Sequence, residues 1–453
     1  MALSLEDSRV WLVEELPSYC PTPPFHASEA MPEWPDAELS VEDNPAYRGV
    51  RRIFKSMGLD AEAFGTTAWN PLGNVIKPGD TVVLKPSLVS HFNHRTGRKR
   101  TGDTDSLVTH GSVVRAVADY AARAAGSGGT LIICDCPIQG ASWDALVRLT
   151  GLDAVVEHLH RAFPNTDVRL VDYRLGKAVT RHGSVVERSV ADSGIRGHTE
   201  VDLGALSLLA SDDFRGPGFD ITQYGSERMR SAHTSTVNKC IFPNDVLHAD
   251  MVINLPKMKT HEKTGMTCAL KNLVGINGHK DYLPHFRCGS PRTGGDEYPD
   301  GNWWWDLTWA VVHHEWNLES GRKKALLRFL GRVMRRLSPL VGGFSSERYR
   351  LGGGSWTGND TAWRMVLDIN RAFFYYDREA GEVRAEPYPK LSYLTIVDAL
   401  VAGEGEGPLS PTPVPCGLLL ASFNPVAADT AAATLMGFEP QRLRIVQNAY
   451  QFE

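Results

Sequence analysis

The middle of the chain carries the residues best suited to chemistry. Lys257, Lys259 and His261 are spaced two apart, so an extended strand places them on one face. Cations this close repel one another by about 1 kcal/mol per pair in water, and by more when partly buried. We therefore expect the group to bind an anion, with Lys257 binding substrate and Lys259 and His261 acting as catalytic residues. The alternative is that these lysines are solvated or form structural ion pairs.

The next residues are predicted to form a helix from Thr264. At helical spacing one side is polar and carries Thr264, Thr267, Cys268 and Lys271. The opposite side is aliphatic and carries Met266, Leu270, Leu273 and Val274. A helix N-terminus presents free N–H groups and a partial positive charge, which favour an anion. We expect Lys271 to be catalytic, and Thr264 and Asn272 to bind substrate.

An acidic pair follows a predicted strand late in the chain. Glu404 and Glu406 are separated and flanked by glycines, so both carboxylates can converge on a ligand. Paired carboxylates bind hard cations or act as an acid and a base. We expect the pair to be catalytic, or to bind a divalent metal ion with Asp429, while facing the lysines across a shared hollow. A solvated acidic turn, or salt bridges to those lysines, is the alternative.

Two polar regions supply histidines and further lysines. The early one carries His91, His94 and His110, and the later one carries His279, Lys280, His285, Asp296 and Glu297. The residues expected to bind substrate here are Lys85, His110, His279, Lys280 and His285. No histidine has the His-Glu-x-x-His spacing of a zinc hydrolase. An iron-dependent oxygenase with two histidines and a carboxylate stays an alternative that lacks a diagnostic spacing.

Cysteine spacing and glycine patterns limit the cofactors. The seven cysteines include no Cys-x-x-Cys pair and no ferredoxin-type run, so no iron–sulfur cluster is expected. Cys134 and Cys136 end a predicted strand, where burial is the usual fate of cysteine. The sequence has no Gly-x-x-x-x-Gly-Lys loop and no convincing dinucleotide fingerprint, so neither ATP nor NAD is expected.

Composition excludes several classes of protein. The 453 residues are 42% hydrophobic and 22% charged, as in folded globular chains. The 48 basic and 53 acidic residues give a net charge of −5, so no global positive field favours nucleic acid as a partner. The N-terminal residues lack the basic start of a signal peptide, and no run approaches the ~20 apolar residues that span a bilayer. We expect a cytoplasmic protein with no transmembrane segment.

The secondary structure predicted around these residues alternates between strands and helices. A strand at Thr81–Leu84, a helix at Gly111–Gly126 and a strand at Thr130–Cys134 form one unit, which predicts parallel strands with a crevice beyond their carboxyl ends. Further buried strands are predicted at Met251–Leu255, Leu394–Val397 and Gly417–Ala421. Asn-Pro pairs at positions 44–45 and 424–425 predict helix starts. The predicted fold is α/β, with a mostly parallel sheet, flanking helices and inserted β-rich and helical cap segments.

The predicted organisation has five parts. They are an N-terminal part of the α/β core (1–171), a polar, β-rich insertion (172–240), the anion-cradle strand and helix (241–287), an inserted loop and basic-helix cap (288–358) and a C-terminal part of the core (359–453). The basic helix, residues 321–337, has seven Lys and Arg and no acid. A basic amphipathic helix can lie on an anionic membrane or contact a protein partner, and can equally pack with a charged outer face.

Motifs in a fixed order run through most of the chain. They are LKPSL at Leu84–Leu88, the Thr109-His110 pair, ADMVINLPKMKTH followed by TGMTCALKNLVGINGHKDYLPH, and GEGEGP followed by NPVAADTAAATLMGF. This pattern, from about Val82 to Met436, resembles the domain-of-unknown-function family numbered three hundred and sixty-two. Many members of that family carry an appended ferredoxin-like iron–sulfur module. This sequence lacks those cysteines, so the resemblance implies the fold and neither electron transfer nor a reaction.

Three functional hypotheses follow. The first is an enzyme for a small carboxylate- or phosphate-bearing substrate in specialised biosynthesis, either an oxidoreductase, a lyase or a transferase. The second is a non-catalytic anion- or metal-binding module that docks to a redox or membrane partner through residues 321–337. The third is the iron-dependent oxygenase. The first two differ in their use of the acidic pair, because a pure anion binder does not need carboxylates beside its lysines.

Overall fold

A nine-stranded sheet forms the centre of the protein in the computed structural model, which describes residues 4–96, 104–181, 184–190, 197–210, 218–221, 227–299, 302–318, 321–341, 352–388 and 391–451. The strands are β1 Trp11–Glu14, β2 Thr81–Pro86, β3 Thr130–Asp135, β4 Asp167–Asp172, β5 Gly176–Arg181, β6 Ser184–Val190, β7 His198–Asp202, β8 Phe219–Asp220, β9 Lys239–Pro243, β10 Met251–Leu255, β11 Lys257–His261, β12 Gly265–Thr267, β13 Phe286–Arg287, β14 Tyr376–Asp377, β15 Glu382–Val383, β16 Ser392–Glu406 and β17 Ser410–Ser422. The α-helices are α1 Pro45–Ser56, α2 Gly111–Ala125, α3 Trp143–Thr150, α4 Leu152–Ala162, α5 Glu227–Ala232, α6 Asn244–Leu247, α7 Ala269–Asn272, α8 Trp303–Trp316, α9 Arg322–Val341, α10 Ala362–Phe374, α11 Pro425–Leu435 and α12 Arg444–Gln447.

The central sheet has the strand order β1-β17-β16-β10-β2-β3-β4. β10 pairs in parallel with β16 and β2, and β3 pairs in parallel with β2 and β4. β17 is antiparallel to both β1 and β16. β11 continues beyond β10 along the long strand β16, and β12 pairs antiparallel with β11. The predicted fold class, α/β with a mostly parallel sheet, is confirmed.

Helices cover both faces of the sheet, because side chains of each strand alternate between two hydrophobic cores. Val82 and Leu84 of β2 join one core with α1, α2 and α4. Val83 joins the other, which includes α10, α11 and α12. Strands buried on both faces are continuous apolar runs, and every residue of β10 is buried.

Local signals set the starts of the predicted helices. The side chain of Asn44 accepts a hydrogen bond from the Tyr47 amide at the start of α1. The side chain of Asn424 accepts from the amides of Val426 and Ala427 at the start of α11. Both helices have proline in the first turn, where no amide partner is lost. The helix starts predicted from the two Asn-Pro pairs are confirmed.

The segment 172–240 contains short antiparallel pairs. β5 and β6 form a hairpin, and β7 pairs with β9. In the segment 288–358, α8 and α9 pack side by side. The Trp304 indole N–H donates to Ser338 Oγ at 3.1 Å, and Arg328 forms an ion pair with Glu315 at 3.1 Å. Across the described ranges no helix is both long and apolar enough to cross a membrane.

The predicted helix from Thr264 is wrong. The chain instead forms the hairpin β11–β12, in which Lys259 lies opposite Thr267. Gly265 begins β12 with a φ of +82°, a left-handed value that favours glycine. Pairing with the edge of the sheet satisfies backbone groups that a helix would otherwise pair internally, so the sheet overrides the helical spacing of the side chains.

Helical structure begins only at α7, which is a single turn. Its first amides are already satisfied: the Ala269 amide donates to Asp429 Oδ1 at 2.6 Å, and the Leu270 amide donates to Asp429 Oδ2 at 3.2 Å. The predicted anion site at this helix N-terminus is therefore wrong, because the carboxylate of Asp429 occupies it.

Candidate anion-binding site

A cavity of about 400 Å³ lies at the carboxyl ends of the parallel strands β2 and β3. Lys85 and Ser87 reach it from the end of β2, and Asp135 and Cys136 from the end of β3. The β11–β12 hairpin and residues 271–285 complete most of the wall. Parallel α/β sheets bind ligands beyond the carboxyl ends of their strands, so the cavity lies where the topology predicts a site.

Positive charge dominates the cavity wall. Five lysines line it: Lys85, Lys259, Lys263, Lys271 and Lys280. Two acidic residues also line it, Asp135 and Glu262. Asp135 accepts hydrogen bonds from the amides of Leu88 (2.6 Å) and Cys136 (2.7 Å). Its Oδ1 also lies 3.0 Å from Lys85 Nζ, so this carboxylate forms an ion pair with one of the five lysines.

Lys259 is fully buried at the base of the β11–β12 hairpin. Its Nζ donates to the carbonyl oxygens of Leu107 at 2.6 Å and Pro408 at 3.1 Å. Burial, reinforced by the positive charges of neighbouring lysines, lowers the pKa of Lys259 to about 7. This ammonium group is therefore poised to gain or lose a proton near neutral pH.

Two more lysines hydrogen-bond to neutral oxygens. Lys280 Nζ donates to the Cys136 carbonyl at 2.9 Å, and burial lowers its pKa. Lys263 Nζ donates to the Gly353 carbonyl and to Ser355 Oγ. Burial lowers the pKa of Lys263 to about 8. These contacts orient the two ammonium groups without cancelling their charge.

Lys271 differs from the other four lysines. Its ammonium group has no hydrogen-bond or ion-pair partner among the described residues, and the charges that act on it come from Lys280, Lys263 and Lys85. Burial and this repulsion lower its pKa to about 7. Thr267 Oγ1, which is buried on the same wall, also lacks a partner among those residues. Buried polar groups are nearly always satisfied, so the Thr267 hydroxyl points to a ligand. Lys271 is half-buried and presents its ammonium group to the same cavity.

Two neutral imidazoles complete the wall. Burial among the lysines lowers the pKa of His261 and His285 well below the usual value. His261 Nδ1 accepts from the Lys263 amide at 3.0 Å, which places the ring proton on Nε2. His285 Nδ1 lies 2.7 Å from the Leu283 carbonyl and must donate to it, which leaves Nε2 as an acceptor. The cavity thus offers one imidazole donor and one imidazole acceptor.

The structure brings seven of the predicted site residues to one cavity. They are Lys85, Lys259, His261, Lys271, Asn272, Lys280 and His285. Asn272 also supports the site through its side chain. Its Oδ1 accepts a hydrogen bond from Lys85 Nζ at 3.2 Å, and its Nδ2 donates to the Lys85 carbonyl at 3.0 Å.

Lys257 lies outside the cavity. Its Nζ is fully buried 2.6 Å from Asp398 Oδ2 and 2.7 Å from the hydroxyl of Tyr19. The prediction that Lys257 binds substrate is wrong, because a structural ion pair already satisfies its charge. The alternative of a structural ion pair is confirmed for this lysine.

Three further residues that were expected to bind substrate have local structural roles. His110 caps α2, stacks on Tyr19 at 4.1 Å and has its pKa lowered by burial to about 3, so it carries no charge to attract an anion. His279 Nδ1 accepts from the Asp281 amide in the 3₁₀ turn Lys280–Tyr282. Thr264 Oγ1 donates to the Met266 carbonyl within the hairpin turn. None of the three lines the cavity.

The acidic pair does not meet the lysines. Glu404 and Glu406 are exposed at the far end of the β16–β17 hairpin and do not line the cavity. A Cβ added at Gly403 would lie 2.9 Å from the Cβ of Lys259, so position 403 faces the lysine. Glu404, the next residue of the strand, then points to the opposite face. The predicted shared hollow is wrong.

Asp429 does not join these glutamates either. It is fully buried, and its oxygens accept the two α7 amides. Burial raises its pKa to about 7. The predicted metal site of Glu404, Glu406 and Asp429 is therefore wrong, because two of its members are exposed and the third caps a helix.

Sequence reasoning did not assign Asp135 or Lys263 to the site, and it placed Thr267 on the polar side of the predicted helix without giving it a role. Asp135 ends a strand that pairs in parallel with the strand of Lys85, so the rule about carboxyl ends could have found it. Lys263 continues the two-residue spacing of Lys259 and His261. The expected burial of Cys134 and Cys136 is confirmed.

These features define an α/β protein with a lysine-rich cavity at the carboxyl ends of its parallel strands. The family described as Domain of unknown function (DUF362) matches residues 177–434, and the chain belongs to this family. The resemblance inferred from the motifs is confirmed. The matched range includes the β11–β12 hairpin and Lys271, whereas Lys85 and Asp135 precede it.

Individual proteins are also similar to this chain. The Thylakoid-associated protein sll1697 of Synechocystis sp. is 26% identical over 204 residues, which are 45% of this chain and 41% of that protein. The chain thus spans less than half the length of this curated relative. A crystal structure of a Thermotoga maritima protein is similar with a TM-score of 0.35 and 11% identity, over 86% of this chain and 59% of that one.

Proposed function

We propose that the protein is an enzyme that acts on a small carboxylate- or phosphate-bearing substrate bound in the cavity. The observation that carries this proposal is the Lys271 ammonium group, which lines the cavity among other cations with no partner in the described residues. A bound anion would relieve this repulsion and would give the group charge-assisted hydrogen bonds. We also propose that the protein acts in specialised biosynthesis and is located in the cytoplasm.

The cavity residues divide into two roles. Lys263 and Lys271 would hold the anion and stabilise negative charge that develops during the reaction. Lys259, with a pKa of about 7, and the neutral His261 and His285 would transfer protons near neutral pH. The site therefore suits a reaction in which a proton moves while negative charge grows on the substrate.

Calorimetric titration with inorganic phosphate and with succinate tests anion binding. Lys271→Met should weaken binding of the preferred anion by about 10- to 100-fold, because a hydrogen bond to a charged group contributes about 1.5–3 kcal/mol. Lys77→Met, which removes an exposed lysine outside the cavity, is the matched control and should bind like the wild type. Equal affinity in the wild type and Lys271→Met would contradict the proposal.

A turnover assay distinguishes this enzyme from the rival proposal, a non-catalytic anion-binding module. We would screen carboxylates and phosphates for consumption by the wild-type protein. For a substrate that is consumed, His285→Gln should lower kcat by about 10²- to 10⁴-fold while the affinity changes little. Ligands that bind the wild type without being consumed would support the module instead.

A second candidate function rests on the outer side of α8 and α9. Large apolar residues are exposed there: Trp303, Leu307, Leu326, Phe329, Leu330, Leu337, Leu340 and Val341. The buried positions of α9 recur at Lys324, Gly331, Met334 and Ser338, so its apolar stripe faces away from the packed side. The segment 321–337 has seven basic residues and no acid. Lys324 is buried and Arg328 pairs with Glu315, whereas the exposed basic residues are Arg322, Lys323, Arg332 and Arg336.

We propose that this surface attaches the protein peripherally to an anionic lipid surface. Exposed apolar side chains beside basic residues fit the acyl boundary and the anionic headgroups respectively. The name of the Synechocystis relative, a thylakoid-associated protein, is consistent with a membrane location.

Flotation with vesicles of phosphatidylcholine, with or without phosphatidylglycerol, tests this attachment. The wild type should float with the anionic vesicles, and a Phe329→Ser, Leu330→Ser variant should lose about tenfold or more in affinity, because burial of each methylene contributes about 0.8 kcal/mol. Leu39→Ser, at another exposed leucine, should bind like the wild type. Absence of wild-type binding to anionic vesicles would contradict the attachment.

A further inference from the structure

Three potential metal ligands from separate segments converge outside the cavity. Asp220 lies in β8, Cys288 directly follows β13, and His313 lies in α8. One ligand atom from each lies within 4.8 Å of the other two, and Asp220 Oδ2 is 3.2 Å from His313 Nδ1. Separations of this size fit ligands that share one ion at about 2.0–2.3 Å.

Backbone pairing fixes two of these ligands. β8 and β13 are antiparallel, with Asp220 opposite Phe286. The Cys288 amide continues this ribbon by donating to the Gly218 carbonyl at 3.2 Å. The aspartate and the cysteine are therefore held side by side, and only the histidine comes from another part of the chain.

His313 is oriented by a carboxylate behind it. Its Nε2 lies 2.9 Å from both oxygens of Glu297, which is fully buried and also accepts from the Gly289 amide at 3.0 Å. A histidine that binds a metal almost always donates its other ring N–H to such a partner. With a proton on Nε2 for Glu297, Nδ1 is the ring nitrogen that faces Asp220 and that a metal ion would bind.

We propose that Asp220, Cys288 and His313 bind a divalent transition-metal ion, with zinc as the best chemical match. A ligand set of one oxygen, one sulfur and one nitrogen suits this borderline-soft ion, and a fourth position remains for water or another ligand. Among the described residues this is the one group of three such ligands within reach of one ion. The ion would tie α8 to the β8–β13 ribbon.

The site has a consequence for the cavity. Ile221 follows Asp220 directly, His285 precedes β13 directly, and both line the cavity. A metal ion at the cluster would therefore stabilise this part of the wall while touching no anion itself. The inference does not depend on the proposed function.

The competing explanation is a metal-free network, in which a protonated His313 bridges Asp220 and Glu297. Cys288→Ser separates the two, because it removes the thiolate and leaves both histidine contacts in place. His313→Gln breaks both arrangements and would not distinguish them. Cys416→Ser is the matched control, since Cys416 is also partly exposed but lies on β17.

The experiment measures metal content by mass spectrometry in protein purified without chelators, and then the visible and near-ultraviolet spectrum after cobalt(II) exchange. The wild type and Cys416→Ser should hold about one zinc ion per chain and show a thiolate-to-cobalt charge-transfer band. Cys288→Ser should lose the band, and Glu297→Gln should bind zinc about 10- to 100-fold more weakly. Absence of metal from the wild type together with failure to bind added zinc or cobalt, or an unchanged cobalt spectrum in Cys288→Ser, would overturn the site.

Discussion

Lys257 and Lys271 stand 14 positions apart in the same motif and have opposite environments. Lys257 is fully buried and pairs with Asp398 at 2.6 Å. Lys271 faces the cavity, has only cations acting on it within the described residues, and has its pKa lowered to about 7. A buried lysine that pairs with a carboxylate therefore stabilises the fold, whereas a lysine that lines a cavity without a partner indicates a binding site.

The largest effect is expected when the structural lysine is removed. Lys257→Met should lower the free energy of unfolding by about 3–5 kcal/mol, because it leaves the Asp398 carboxylate buried and unpaired. Urea unfolding followed by tryptophan fluorescence measures the change. The double variant Lys257→Met, Asp398→Asn should recover part of the lost free energy of unfolding. A decrease below about 1 kcal/mol in the single variant would show that the pair is not structural.

The second test uses pH. Lys259 and Lys271 have pKa values of about 7 in the folded chain against an ordinary value of 10.5. Because an anion binds the protonated groups, affinity for sulfate should be highest below pH 7 and fall above it, by up to tenfold per pH unit for each linked proton. Calorimetric titrations from pH 6 to pH 9 measure it, and a flat profile would contradict the role of the lysines.

The same two lysines should make the free energy of unfolding rise with pH, whereas they make the affinity for the anion fall. They bind protons less tightly in the folded than in the unfolded chain, so their contribution to the free energy of unfolding should rise with pH from about 7 towards 10.5. The slope should be smaller in Lys271→Met than in the wild type, in unfolding experiments over the lower part of that range.

Third, removing Lys271 should stabilise the folded chain, whereas removing Lys257 should destabilise it. Lys271→Met should raise the free energy of unfolding by about 1 kcal/mol at pH 6 in the absence of anions, because it removes a partly buried cation without a partner. Thermal and urea unfolding without added phosphate or sulfate measure the change. A loss of stability as large as that of Lys257→Met would remove the contrast between the two lysines.

The smallest effect is expected at the acidic pair. Glu404→Ala should change the free energy of unfolding by less than about 0.5 kcal/mol, because the side chain is exposed. Its affinity for phosphate should equal that of the wild type in calorimetric titration. A tenfold loss of affinity would show that Glu404 contributes to anion binding after all.

The sequence predicts the sheet and the main helices well, because strands buried on both faces and Asn-Pro caps act locally. It predicts the site less well, because side-chain spacing alone does not identify partners. The Asp398 partner of Lys257 lies 141 positions away, and Asp429 caps an amide 160 positions away. The helix predicted at Thr264 is wrong because Gly265–Thr267 instead pair with β11, which itself pairs with the distant strand β16.

Gly275 shows how little tolerance the cavity floor has. A Cβ at this position would lie 2.2 Å from Asp135 Oδ1 and 2.7 Å from Lys85 Nζ. Both groups are held from behind, the aspartate by two amides and the lysine by the Pro86 carbonyl, so neither can retreat cheaply. Even one added methyl group would separate the pair and release another unneutralised cation into the cavity. Glycine at position 275 thus keeps the Asp135–Lys85 ion pair closed and one lysine of the cavity wall neutralised.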